Sequence, residues 1–64
     1  MIKDTIDYFR KQRNAAKRNL VNATLKGNEP ECAGLRSKIH HYNTAIQALV
    51  VVDAMQQEGQ ADVN

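Results

Sequence analysis

Apolar residues recur along this chain at alternating steps of three and four, at Ile2, Ile6, Phe9, Ala16, Leu20 and Ala23 and again at Leu35, Ile39, Tyr42, Ile46 and Leu49. Between the two runs stands Gly27-Asn28-Glu29-Pro30. Residues so spaced share one side of a helix, so each segment has one seam to bury, and a short connection makes the segments each other's nearest partner. The pattern predicts an all-α chain, a two-helix antiparallel hairpin forming a single domain over residues 1–64.

The ends of the elements follow from their punctuation. Asp4 is suited to cap the first helix, with Asp7 adding negative charge at the positive end of its dipole. Lys26 suits the other end, and Gly27 can take the left-handed conformation that stops a helix. The first helix is expected over about 4–26 and the turn over 27–30. Pro30 has no amide to lose in a first turn, so the second helix is expected from about 30 to 58, capped by Asn28 or Glu29, with Gly59 ending it and 59–64 a frayed tail. The run Leu49-Val50-Val51-Val52 would also suit a strand, but the helical stripe enters it unbroken and the chain offers no second strand to pair with it.

Folding the hairpin about residues 28 and 29 pairs positions whose numbers add to about 57, which sets Leu20 near Ile39, Ile6 and Phe9 near Leu49, and Lys3 near Asp53. Arg13 then falls near Tyr42 to Ile46, on the seam itself. There it can lay its methylenes over Tyr42 and lift its guanidinium to water, or it can fix register by pairing with an acid of another subunit. Asp53 is also a seam position, expected to pair with Lys3, the terminal amine or a base of a second subunit unless it is simply exposed.

The second helix carries more apolar residues than one partner can cover. Ala45, Ala48, Val51, Val52 and Met55, with Ala54, lie away from its seam, and their small side chains permit close helix approach. These are the candidate protein interface, most simply that of a homo-oligomer, a dimer forming a four-helix bundle with coiled-coil-like packing. Size supports such a staple. At 64 residues with one cysteine, Cys32, the chain can form no internal disulfide, and a core this small contributes about 3 to 5 kcal/mol.

The net charge of +2 hides an asymmetry: residues 1–26 hold seven basic side chains against two acidic, and residues 27–64 hold two against five. The basic excess is concentrated in Arg10, Lys11, Asn14, Lys17 and Arg18, a candidate face for nucleic acid or an acidic partner. Arg and Lys are also ordinary residues of a solvated helix, and Tyr8 is the only aromatic outside the seams that is available to stack on a base.

Little else points to chemistry. His40 and His41 are adjacent, about 100° apart on a helix, whereas helical metal pairs sit four residues apart, so no metal is expected. Cys32 has no base placed to activate it and is expected to be a packed small hydrophobe. With no phosphate-binding glycine loop and no paired carboxylates, neither an enzyme nor a cofactor is expected. The start Met1-Ile2-Lys3-Asp4 does not resemble an export signal, the apolar run Ala48–Val52 is too short to span a bilayer, and a lone thiol suits a reducing cytoplasm, so no membrane partner is expected.

Leu25-Lys26-Gly27, followed after the turn by Leu35-Arg36, Ile39, Tyr42-Asn43 and Ala45-Ile46, resembles a pattern of small helical-hairpin accessory or virion-associated proteins of tailed bacteriophages, over about residues 20–50. The resemblance implies a structural or protein-binding role, with a virion or host protein as partner and a location in the host cytoplasm or on the virion. In architecture alone the chain is similar to the Rop type of plasmid regulator, a dimeric hairpin, which implies the alternative of an RNA-binding regulator using the basic face of the first helix.

Overall fold

The computed structural model describes the backbone of residues 1–63 and the side chains of residues 1–57. It contains two α-helices, α1 (Ile2–Lys26) and α2 (Glu29–Val63), and no strand among the described residues. The Leu49–Val52 run is helical, as the continuing stripe required. At about 1.5 Å per residue α2 is about 52 Å long, close to the 56 Å length of a molecule only 15 by 12 Å across.

The two helices are joined through Gly27 and Asn28 alone, and the hydrogen bonds explain why two residues suffice. Gly27 takes φ 69°, ψ 25°, and its amide donates to Thr24 O at 3.1 Å while the Asn28 amide donates to Ala23 O at 3.0 Å. This pair of bonds is the Schellman stop, which satisfies carbonyls that the last turn of α1 leaves free. Asn28 then starts α2. Its carbonyl accepts the first helical bond, from Cys32 N at 3.0 Å, its Oδ1 accepts from Glu31 N at 3.3 Å, and its Nδ2 donates to Glu31 Oε2 at 3.0 Å. Asn28 is therefore the N-cap, and Pro30 sits inside the first turn where its missing amide costs nothing.

Three expectations about the ends are corrected. α1 begins at Ile2, not Asp4; Met1 occupies the cap position without a side-chain bond, and Asp4 lies inside the first turn. The Thr5 amide at 3.2 Å and the Thr5 hydroxyl at 3.3 Å both donate to Met1 O, and the first-turn amides have no side-chain cap. The turn contracts from 27–30 to its first two residues. α2 also runs through Gly59 to Val63, because a single glycine costs a helix only about 1 kcal/mol and no proline follows it. Of the expected tail 59–64, Asn64 and the side chains of 59–63 lie outside the described residues.

The core is the predicted seam. Ile6, Ala16, Ala23, Cys32 and Ile46 are buried, and Ile2, Phe9, Leu20, Leu35, Ile39, Tyr42 and Leu49 are half-buried around them. Phe9 meets Tyr42 across the seam with ring centroids 6.0 Å apart, and Tyr8 lies edge-on to Phe9 at 5.7 Å. Two hydrogen-bonded contacts, Arg13 with Asn43 and Thr24 with Cys32, join positions that add to 56, within one residue of the register expected, while the Phe9 ring, expected near Leu49, meets Tyr42 at positions that add to 51.

Candidate interaction surfaces

A two-helix layer has a seam, two flanks beside it and two outer backs, so each exposed residue must be assigned to one of these. Arg13 Nη1 donates to Asn43 Oδ1 at 3.3 Å, which places those two residues on the same flank. At about 100° per residue, Gln12 lies on the other side of the α1 seam from Arg13, and Ala45 on the other side of the α2 seam from Asn43. Gln12 and Ala45 therefore share the opposite flank, and both are half-buried there.

The Gln12–Ala45 flank is uncharged toward the open end of the hairpin. Positions three and four apart bring Thr5, Tyr8, Gln12 and Ala15 of α1 beside His41, Ala45, Ala48 and Val52 of α2, with no Asp, Glu, Lys or Arg among them, and Lys38 beside Asn19 is the first charge toward the turn. On α2 the ridge Ala45, Ala48, Val52, Met55 starts half-buried beside the seam and turns outward, and Val51 widens it toward the back of the helix. Val51, Val52 and Met55 are 48%, 42% and 63% exposed, so the hairpin does not cover the apolar group that the sequence singled out. Beside it His40, Asn43, Thr44, Gln47, Ala48, Val51 and Val52 line a shallow trough along α2. A single helix forms that trough, so it is a surface for another helix rather than an enclosing pocket.

The Arg13–Asn43 flank is basic. Arg10, Arg13, Asn14 and Lys17 of α1 lie on it with Arg36 and Asn43 of α2. The basic segment is thereby divided, since Lys11 and Arg18 point away from α2 on the back of α1. Arg36 was missed because a reading along one helix does not show what the register adds from the other. Arg13 is half-buried, and its Nε and Nη2 both donate to Asn14 Oδ1 at 3.4 Å. Among the described residues the one ion pair is Arg10 with Asp7, at 3.9 Å on an exposed surface, so Arg13 is held by asparagine oxygens and by no carboxylate.

The remaining candidates are placed as follows. Asp53 is half-buried and accepts from Gln57 Nε2 at 3.2 Å, and the expected partner Lys3 makes no ion pair with it. Cys32 is 2% exposed at the closed end of the seam. His40 and His41 have ring centroids 5.8 Å apart, and among the described residues no group of three or more His, Cys, Asp or Glu is arranged to hold a metal. No helix among these residues is long and apolar enough to cross a membrane. Comparison of the chain with protein-family models, curated proteins and solved structures gives no match.

Proposed function

We propose that this chain is a small non-enzymatic interaction module that works by helical-bundle association, with α2 as its docking element and a second copy as its simplest partner. What supports the reading is the ridge Ala45, Ala48, Val52 and Met55, which is apolar, exposed over three of its members and bordered by a flank without charges over residues 5–15 of α1 and 41–52 of α2. A second hairpin can approach that stretch of the flank without desolvating an ion, while Tyr8, Gln12 and His41 supply hydrogen-bonding groups at its edge. The alternating three- and four-residue steps of the ridge are those of a helix seam, which another helix fills by ridges-into-grooves packing. A particle-associated or host-directed role in a phage setting rests on the resemblance of residues 20–50 alone.

Sedimentation equilibrium from low to high micromolar concentration tests the reading. A dimer whose population rises with concentration and is lost in Val52→Asp is the expected result. A mass of one chain throughout that range overturns it.

A further inference from the structure

We propose that the flank bearing Arg10, Arg13, Lys17 and Arg36 binds the phosphate backbone of double-stranded nucleic acid across the groove between the two helices. The surface lies on the other side of the seam from the docking ridge, so this inference does not depend on self-association.

The first observation is the state of Arg13. Its half-buried guanidinium reaches Asn14 and Asn43 at 3.3–3.4 Å, both neutral, so no carboxylate compensates its positive charge. Three of its five N–H groups are used and two remain to donate. Because the Arg13 bonds engage Oδ1 of both asparagines, the groups that Asn14 and Asn43 have left for a ligand are chiefly their amide N–H donors. The middle of the flank is a set of donors with Arg10, Lys17 and Arg36 around it, complementary to a ligand that only accepts and is negative throughout. Phosphate oxygens have that character.

The second observation selects duplex over single strand. The chain has three aromatic residues. Phe9 and Tyr42 pack against each other in the seam, and Tyr8 lies on the uncharged flank. The one ring bordering the basic flank is the exposed imidazole of His40, at helical spacing between Arg36 and Asn43, so the flank has no Phe, Tyr or Trp platform for successive unpaired bases and its contacts are chiefly with backbone. Arg10, Arg13 and Lys17 are separated along the α1 axis by about 4.5 and 6 Å, so they address successive charges rather than one point. Asp7 compensates Arg10 in part, which leaves Arg13, Lys17 and Arg36 as the principal contacts.

Fluorescence anisotropy of the full chain with labelled mixed-sequence RNA and DNA duplexes, at 50 and 200 mM salt, tests the assignment. Neutralising three phosphates predicts a fall in affinity of about 40-fold between the two conditions. Arg36→Gln, at an exposed position that leaves the helices intact by circular dichroism, should lower the salt slope by about one phosphate, whereas Lys11→Gln on the back of α1 should leave it unchanged. The proposal is overturned by absence of binding at 50 mM salt or by tighter binding of the corresponding single strand. Equal losses from Arg36→Gln and Lys11→Gln, or equal affinity for poly-glutamate, would also overturn it, because either marks diffuse attraction rather than this surface.

Discussion

The Sγ of Cys32 lies 3.7 Å from Oγ1 of Thr24, and since the Thr24 hydroxyl donates to Leu20 O at 2.8 Å, the thiol is the donor of the cross-helix pair. A small, weakly polar side chain closes the seam at its turn end, where Ala23 is buried as well. Cys32→Ala should lower stability by about 1 kcal/mol, seen as a fall in the urea midpoint at unchanged slope. The thiol should react with a disulfide reagent only at the rate at which the hairpin opens. Prompt reaction in the folded protein would contradict its burial.

Two glycines should respond in opposite directions. A Cβ on Gly27 would meet nothing within 4 Å, so its constraint is the positive φ of 69° and not space. Gly27→Val should therefore cost more than about 1 kcal/mol and Gly27→Asn much less. Gly34 is helical with open space around its missing Cβ, and Gly34→Ala should stabilise by about 0.5 to 1 kcal/mol. Thermal midpoints of the three variants check the order.

Ile46 and Val52 separate folding from association. Ile46 is 7% exposed and Val52 42% exposed. Ile46→Asp puts a carboxylate into the seam and should remove most of the helical circular dichroism. Val52→Asp should retain helicity while abolishing the concentration-dependent mass. If both lose helicity together, the hairpin has no folded state apart from its oligomer.

Asp53 has a neutral partner in Gln57, on its own helix and four residues on. Asp53→Asn should accordingly change the urea midpoint by an amount equivalent to no more than about 0.5 kcal/mol at neutral pH. A larger loss would mean that a cation from another molecule reaches it.

The seam was legible because burial along a helix is periodic, and every buried residue except Cys32 stands among the stripe residues Ile2 to Ala23 and Leu35 to Leu49. Cys32 belongs to the same stripe one step before Leu35, and its thiol raised questions of chemistry that packing answers. The ends were less legible. Asp4 has a capping side chain, but the helix starts two residues before it and so holds it inside the first turn, and a glycine such as Gly59 stops a helix only where the chain must turn. The flanks could not be read from either helix separately. Arg10 to Arg18 forms one basic run in sequence, and only the contact of Arg13 with Asn43 shows which members face the groove and that Arg36 joins them.

Asn28 belongs to both helices at once: its amide completes the stop of α1, and its carbonyl and side chain start α2. Opening that turn unsatisfies both termini together, so the closed end of the hairpin should exchange its amide hydrogens as one cooperative unit. Gly27, Asn28, Glu31 and Cys32 are then expected to share a single opening free energy, and a chain collapsing from the coil has its antiparallel register set by the nearest possible contacts rather than by a search among distant ones.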